Sequence, residues 1–245
     1  MHQDIDAALQ GWEYKPGVVQ ARLVQARDGR QVIQLRIDLG LLQVETTGRP
    51  DGTRPHGCAS FFEYLTRQAR LAERAGQSFV LNEEQCEEAD REFVQFYHRR
   101  LCWLALGNFA QAVADADHTL GFMTFVRDHP PSEEYAQAHE QYRGFVLFQR
   151  TQAAASLAEE RDRPEEAIDE ILGGLEKMRA FFAAYDLEEQ FEDNGMVQQL
   201  RKMEGSLRKK HGINATLREQ LNQAVANEQY ETAARLRDAL KRREL

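Results

Sequence analysis

At 245 residues, 42% of them apolar and 29% charged, the chain can bury a core as one large domain or two small ones. Its longest apolar runs, at 101–106 and 144–148, fall far short of the roughly 20 residues that cross a bilayer. The opening Met1-His2-Gln3-Asp4 has neither the basic nor the apolar region of a leader, so a cytoplasmic protein with no membrane contact is expected. The formal charge of −9 is uneven: residues 200–245 hold eleven Lys/Arg against six Asp/Glu, so an acidic body carries a basic tail. Direct nucleic-acid binding needs a broad basic face and is not expected of such a body.

Near the N-terminus Val19, Ala21 and Leu23 alternate with polar residues, and Ile33, Leu35, Ile37 and Leu39 resume the alternation after Asp28-Gly29. This predicts a β-hairpin, with a further extended piece over 41–46. Residues 48–57 hold Gly48, Pro50, Gly52, Pro55 and Gly57 together with Arg49 and Arg54, which predicts an irregular loop. From Cys58 onward the period is that of helices. Phe61, Phe62, Leu65, Ala69 and Ala72 form one stripe with a stop at Gly76; Asn82 and Gln85 form a capping box for a helix reaching Leu106. A further helix begins at Phe109 and ends before His129-Pro130-Pro131, and Ser132 caps a long one to about Glu160. Pro164 opens another to about Tyr185, and the next, over about 196–210, ends at Gly212.

Two stretches resemble the turn and second helix of a tetratricopeptide repeat: Leu106-Gly107-Asn108-Phe109-Ala110-Gln111-Ala112-Val113 and Arg161-Asp162-Arg163-Pro164-Glu165-Glu166-Ala167-Ile168. Arg100 stands where that family has a small residue, and the spacing departs from the usual period of about 34 residues. The resemblance implies antiparallel helical hairpins with a protein-binding surface. The fold expected is thus mainly α: tetratricopeptide-like hairpins over 58–212, a small β-sheet region with its Gly/Pro/Arg loop over 1–57, and a terminal helical hairpin over 213–245.

That terminal segment carries the most specific pattern. Leu217, Leu221, Ala224 and Val225 line one face of a first helix that Thr216 and Glu219 can cap. After a turn at 227–229, Tyr230, Ala233, Ala234, Leu236 and Leu240 line a second. Two helices of this length bury too little surface to fold alone, so their apolar seam needs the body, a second copy or a foreign hairpin. Leu217, Leu221, Ala224, Val225, Glu228, Tyr230, Glu231, Ala233, Ala234, Leu236, Arg237 and Asp238 closely resemble the UVR motif. That motif occurs in the excinuclease subunits UvrB and UvrC, in ClpC-type unfoldases and in the adaptor McsA, where it is a protein-interaction hairpin. The resemblance implies docking through Leu217, Leu221, Val225, Tyr230 and Leu236, with Glu228, Arg237 and Asp238 pairing at the rim. The partner it implies is an excinuclease subunit or a Clp-type unfoldase system, with homodimerisation as another route.

Catalytic and metal chemistry find little support. There is no G-x-x-x-x-G-K-[ST] loop, and the three cysteines, Cys58, Cys86 and Cys102, are never spaced as C-x-x-C. His139-Glu140 lacks a second histidine at Arg143. Asp115, Asp117 and His118 share a short helical stretch and read as a surface ion pair, Cys58 as an incidental thiol at a helix start, and Lys202, Arg208, Lys209 and Lys210 as a solvated linker face. No cofactor, no metal and no enzymatic activity are expected. The rival reading places a small anion, or even a reaction, at the loop bearing Arg49 and Arg54, whose guanidinium groups could bind an oxyanion or equally clamp acidic residues of the body.

Overall fold

The computed structural model describes residues 4–243, with the side chain of the last of these left aside. The protein is mainly helical, with one small sheet near its N-terminus. It forms two compact units, residues 1–146 and 147–245.

In the first unit a short helix α1 (Asp6–Leu9) precedes strands β1 (Gln20–Gln25), β2 (Gln31–Ile37) and β3 (Gly40–Glu45). They form an antiparallel sheet in the order β1-β2-β3. The turn between β1 and β2 holds Gly29 at φ +87°, a left-handed conformation that glycine adopts without a Cβ clash. One face carries the polar row Arg22, Gln34 and Gln43, linked by Arg22 Nη2 to Gln34 Oε1 at 2.7 Å and Gln34 Nε2 to Gln43 Oε1 at 3.1 Å. Trp12 stacks on the Arg22 guanidinium at 4.0 Å, so the segment before β1 covers this polar row. Ile33 and Leu35 of the other face are buried, and the long helix α3 (Glu83–Ala105) packs against β1 and β2.

Helices α2 (Phe61–Arg74), α3 and α4 (Phe109–Asp128) share an apolar core of Phe61, Leu65, Ala89, Phe122 and Val126. The capping box of Asn82 and Gln85 forms as the sequence predicts. The turn 106–108 folds α3 back on α4, and the small residues Ala112 and Ala116 are fully enclosed along α4. The long helix expected from Ser132 is two helices, α5 (Glu133–Glu140) and α6 (Arg143–Glu160). The break falls at Gln141-Tyr142, where the Tyr142 N–H bonds back three residues to the His139 carbonyl and the helical repeat is lost.

Polar groups also organise this unit. The fully buried Glu92 accepts the N–H of Phe61 at 2.6 Å and of Phe62 at 3.0 Å, so a carboxylate on α3 caps the first turn of α2. The same carboxylate meets His118 Nε2 at 3.1 Å and Arg49 Nε at 3.4 Å. Arg99 holds Asp115 through two bonds of 2.9 and 2.7 Å and donates to the carbonyls of Glu45 and Gly48, fixing the exit of β3 to α3 and α4. Asp115 is therefore buried and paired with Arg99, and the surface ion pair expected with His118 does not form. Arg100 is also buried, donates to Thr119 Oγ1 at 2.9 Å, and has its guanidinium pKa pushed down to about 10 by desolvation.

The second unit packs the rest of α6 with α7 (Pro164–Ala184) and α8 (Gly195–His211), then ends in α9 (Leu217–Ala226) and α10 (Tyr230–Arg243). Ala153, Ala155 and Ala158 on α6 are buried, and Gly174 on α7 marks a close crossing with α6 at Thr151. A Cβ placed on Gly174 would lie 2.7 Å from Thr151 Cβ and closer still to its Oγ1 and Cγ2.

Candidate functional site

Gly212 at φ +66° ends α8, and its αL conformation turns the chain toward the terminal hairpin. Thr216 then caps α9 in a reciprocal box: its N–H bonds to Glu219 Oε2 at 2.7 Å, and its hydroxyl accepts the Glu219 N–H at 3.2 Å. After Ala226 the chain reverses over 227–229 with Glu228 at φ +56°, and the Gln229 N–H bonds to the Ala224 carbonyl at 2.8 Å. Helices α9 and α10 pair along their length.

The apolar residues of this hairpin fall into two groups. Ala224 and Ala233 are buried, because only small side chains fit where two helices approach closely. Leu217, Leu221, Ala234, Leu236 and Leu240 are half-buried. Val225 remains 53% exposed and Tyr230 70% exposed, so part of the seam is left open by the protein's own packing. Glu228, Arg237 and Asp238 are exposed, and Arg237 leans on its neighbour Asp238 at 3.4 Å.

The hairpin is fastened at its first turn by polar groups of α7 and α8 that the sequence reading did not find. The buried Thr216 hydroxyl donates to Asp169 Oδ1 at 2.7 Å, the Leu217 N–H donates to Glu165 Oε2 at 3.1 Å, and Arg218 pairs with Asp169 at 3.4 Å. Arg208, read from sequence as part of a solvated basic run, bridges Glu204 and Glu219 and donates to the Asn214 carbonyl. Lys210 pairs with Glu159. No sequence signal marks these links, since Asp169 and Glu165 lie 47 and 52 residues from their partners.

Two carboxyls of this anchor titrate with opposite sign. Burial pushes Asp169 above its ordinary range against the pull of Thr216 and Arg218. Partial burial opposes ionisation of Glu219 too, but Arg208 and the Thr216 N–H outweigh it and hold that carboxyl low. Stability from Glu219 is therefore present above its unfolded value and is lost as pH falls through the depressed folded value. For Asp169 the folded value is raised, so stability declines as pH climbs from 3.8 through that value. Asp169→Asn keeps an acceptor for Thr216 without a desolvated charge. Urea midpoints collected from acid to neutral pH should show this variant at least as stable as the parent at neutrality and without the Asp169 decline; a lower midpoint at every pH would contradict this.

The loop at 48–57 is the other place singled out by sequence. Arg49 is buried, ion-paired with Glu88, and lies 3.4 Å from Glu92 and 3.5 Å from Asp51; its Nε and Nη1 also meet Gln95 and Thr53. It clamps the loop to α3. Arg54 is exposed, and the two arginines share the walls of two concavities of about 610 and 560 Å³. The three cysteines are buried as free thiols. Among the described residues no cluster of His, Cys, Asp and Glu could hold a metal ion, and no helix is long and apolar enough to cross a membrane.

A family model for the UvrB/uvrC motif, UVR, matches residues 215–243, which is the hairpin from just before its capping threonine through α10. The C-terminal hairpin is a UVR motif. No curated protein and no solved structure matches the chain. The UVR motif is known for protein interactions of the UvrB/UvrC type and is not itself catalytic, which supports an interaction role at a coarse level.

Proposed function

We propose that this is a non-catalytic adaptor of the bacterial cytoplasm whose UVR hairpin docks a helical hairpin of a partner protein. The observation that carries this reading is the open part of the seam: Val225 and Tyr230 stand in solvent beside a row of half-buried leucines on a capped, anchored scaffold. A tyrosine is a favoured interface anchor, and burying an apolar side chain of this size contributes on the order of 1.5–3 kcal/mol. Rigid anchoring at Thr216 lowers the ordering cost of docking. In this division of labour residues 213–245 bind, with Glu228, Arg237 and Asp238 at the rim, while regions 1–57 and 58–212 form the carrier. The partner is an excinuclease subunit or a component of a Clp-type unfoldase system, and a second copy can occupy the same seam by two-fold pairing.

The test is capture of binding partners by three forms of the purified protein: the full chain, a chain lacking 213–245, and Val225→Asp with Tyr230→Asp. Both substituted residues are exposed, so the double variant should keep its helical circular dichroism. A UVR-bearing or Clp-type partner retained by the parent and depleted at least tenfold by both altered forms is the expected outcome. Equal retention by all three would remove the hairpin from the binding site.

A further inference from the structure

We propose that the 48–57 loop holds a second binding site, independent of the hairpin, for a small phosphate ester bearing a planar ring. The argument starts at Arg49, 3% exposed. Every partner of its guanidinium engages Nε or Nη1: Glu88 and Thr53 meet Nη1, while Gln95, Glu92 and Asp51 meet Nε. Nη2 is buried with no hydrogen-bond partner among the described residues. An orphaned donor on a charged group carries a penalty that one additional acceptor relieves. Arg49 lines the concavities on both sides of the loop.

The charge for an anion comes from two neighbours of that orphan. Arg54 is exposed and, among the described residues, its guanidinium donates to the Gly57 carbonyl at 3.5 Å, a long bond that an anion can replace. Arg91, 60% exposed on its side chain, lines the same wall and shares Glu88 with Arg49. Carboxylates inside the protein already occupy Nε and Nη1 of Arg49. A tetrahedral phosphate can offer one oxygen to Nη2 and others to Arg54 and Arg91 without displacing them. Glu84, Glu87 and Glu88 line the same concavity, so a bound molecule must direct its charge to the arginines and present a neutral portion to the acids.

A seat for that neutral portion is present. His56 is held at φ 49°, ψ 30° between Pro55 and Gly57, a left-handed conformation uncommon for a residue with a Cβ. In this pose its ring stacks on Tyr64 at 3.9 Å and 19°, and both rings line the larger concavity. A planar ring can extend the stack. Because Nη2 is enclosed, an oxygen reaches it through a local movement of the side chains around it that leaves His56 stacked on Tyr64.

The test is calorimetric titration of the full-length protein with inorganic phosphate, phenyl phosphate and benzoate at low salt, repeated on Arg54→Ala, His56→Ala and Tyr230→Asp. Arg54 and His56 are exposed, so these variants retain the fold that Arg49→Ala would endanger. The proposal expects saturable binding of phenyl phosphate, several-fold tighter than inorganic phosphate and tighter than benzoate, and weakened by salt. Arg54→Ala should weaken it about tenfold, His56→Ala should remove the advantage of phenyl phosphate over phosphate, and Tyr230→Asp should change nothing. Absent saturation with both phosphates, or benzoate binding as tightly as phenyl phosphate, or an unaltered isotherm for Arg54→Ala, overturns it. Neither result bears on the hairpin.

Discussion

Glu92→Ala should lower the stability of the first unit by about 3–5 kcal/mol, the range for removing one partner from a buried charge network. Glu92 is fully buried and accepts from the first two N–H groups of α2 while facing Arg49 and His118. Its removal leaves two helix-terminal N–H groups without an acceptor and strips Arg49 of one of its carboxylates. The disturbance should travel along a defined path: α2 loses its cap, and the 48–57 loop loosens from α3. Urea unfolding followed by circular dichroism reads the loss of stability, amide exchange at Phe61 and Phe62 reads the loss of the cap, and amide exchange over 48–57 reads the loosening of the loop. Glu92→Gln, which keeps one of the two acceptor oxygens and gives up the charge, should lose clearly less. Equal losses for both substitutions would show that charge, not helix capping, is the main contribution.

Gly174→Val should destabilise the second unit by about 2–3 kcal/mol or more, through overpacking. The cause is steric and lies at a single crossing. Even the first carbon of a side chain at 174 would overlap Thr151, which is 1% exposed and whose Cβ, 2.7 Å from that carbon, no change of rotamer moves. The helices α6 and α7 must separate at this crossing. Gly173 is a built-in control, since a Cβ there meets nothing within 4 Å. Gly173→Ala should be neutral or gain up to about 1 kcal/mol from its better helix propensity. Similar melting shifts for Gly173→Ala and Gly174→Ala would contradict the close crossing.

What was legible in the sequence is what is local. The hairpin turn at Asp28-Gly29, the capping boxes at Asn82 and Thr216, and the period of Leu217, Leu221, Ala224 and Val225 all depend on neighbours within a few residues, and each forms as expected. The UVR hairpin was legible for the same reason. Polar residues inside helices were not, because a helical period does not distinguish a solvated charge from a buried one. Asp115 reads as a surface acid until Arg99, on another helix, is brought to it. Glu92 shows the same ambiguity, with hydrogen-bond partners on α2 and α4 26 to 31 residues away and Arg49 farther still. The break at Gln141-Tyr142 lacks glycine and proline and so gave no signal. At Arg49 the chemistry was readable and its allegiance was not: a loop arginine suits an external anion or an internal acid equally, and the carboxylates of α3 settle where its Nε and Nη1 go.

The solvent accessibility of Val225 and Tyr230, measured by hydroxyl-radical footprinting of the intact protein with and without its captured partner, bears most directly on hairpin docking. Both side chains should be reactive in the free protein, in keeping with exposures of 53% and 70%, and should become protected together with Leu221 and Leu236 in the complex. A stable complex in which Val225 and Tyr230 react as fast as before would contradict it.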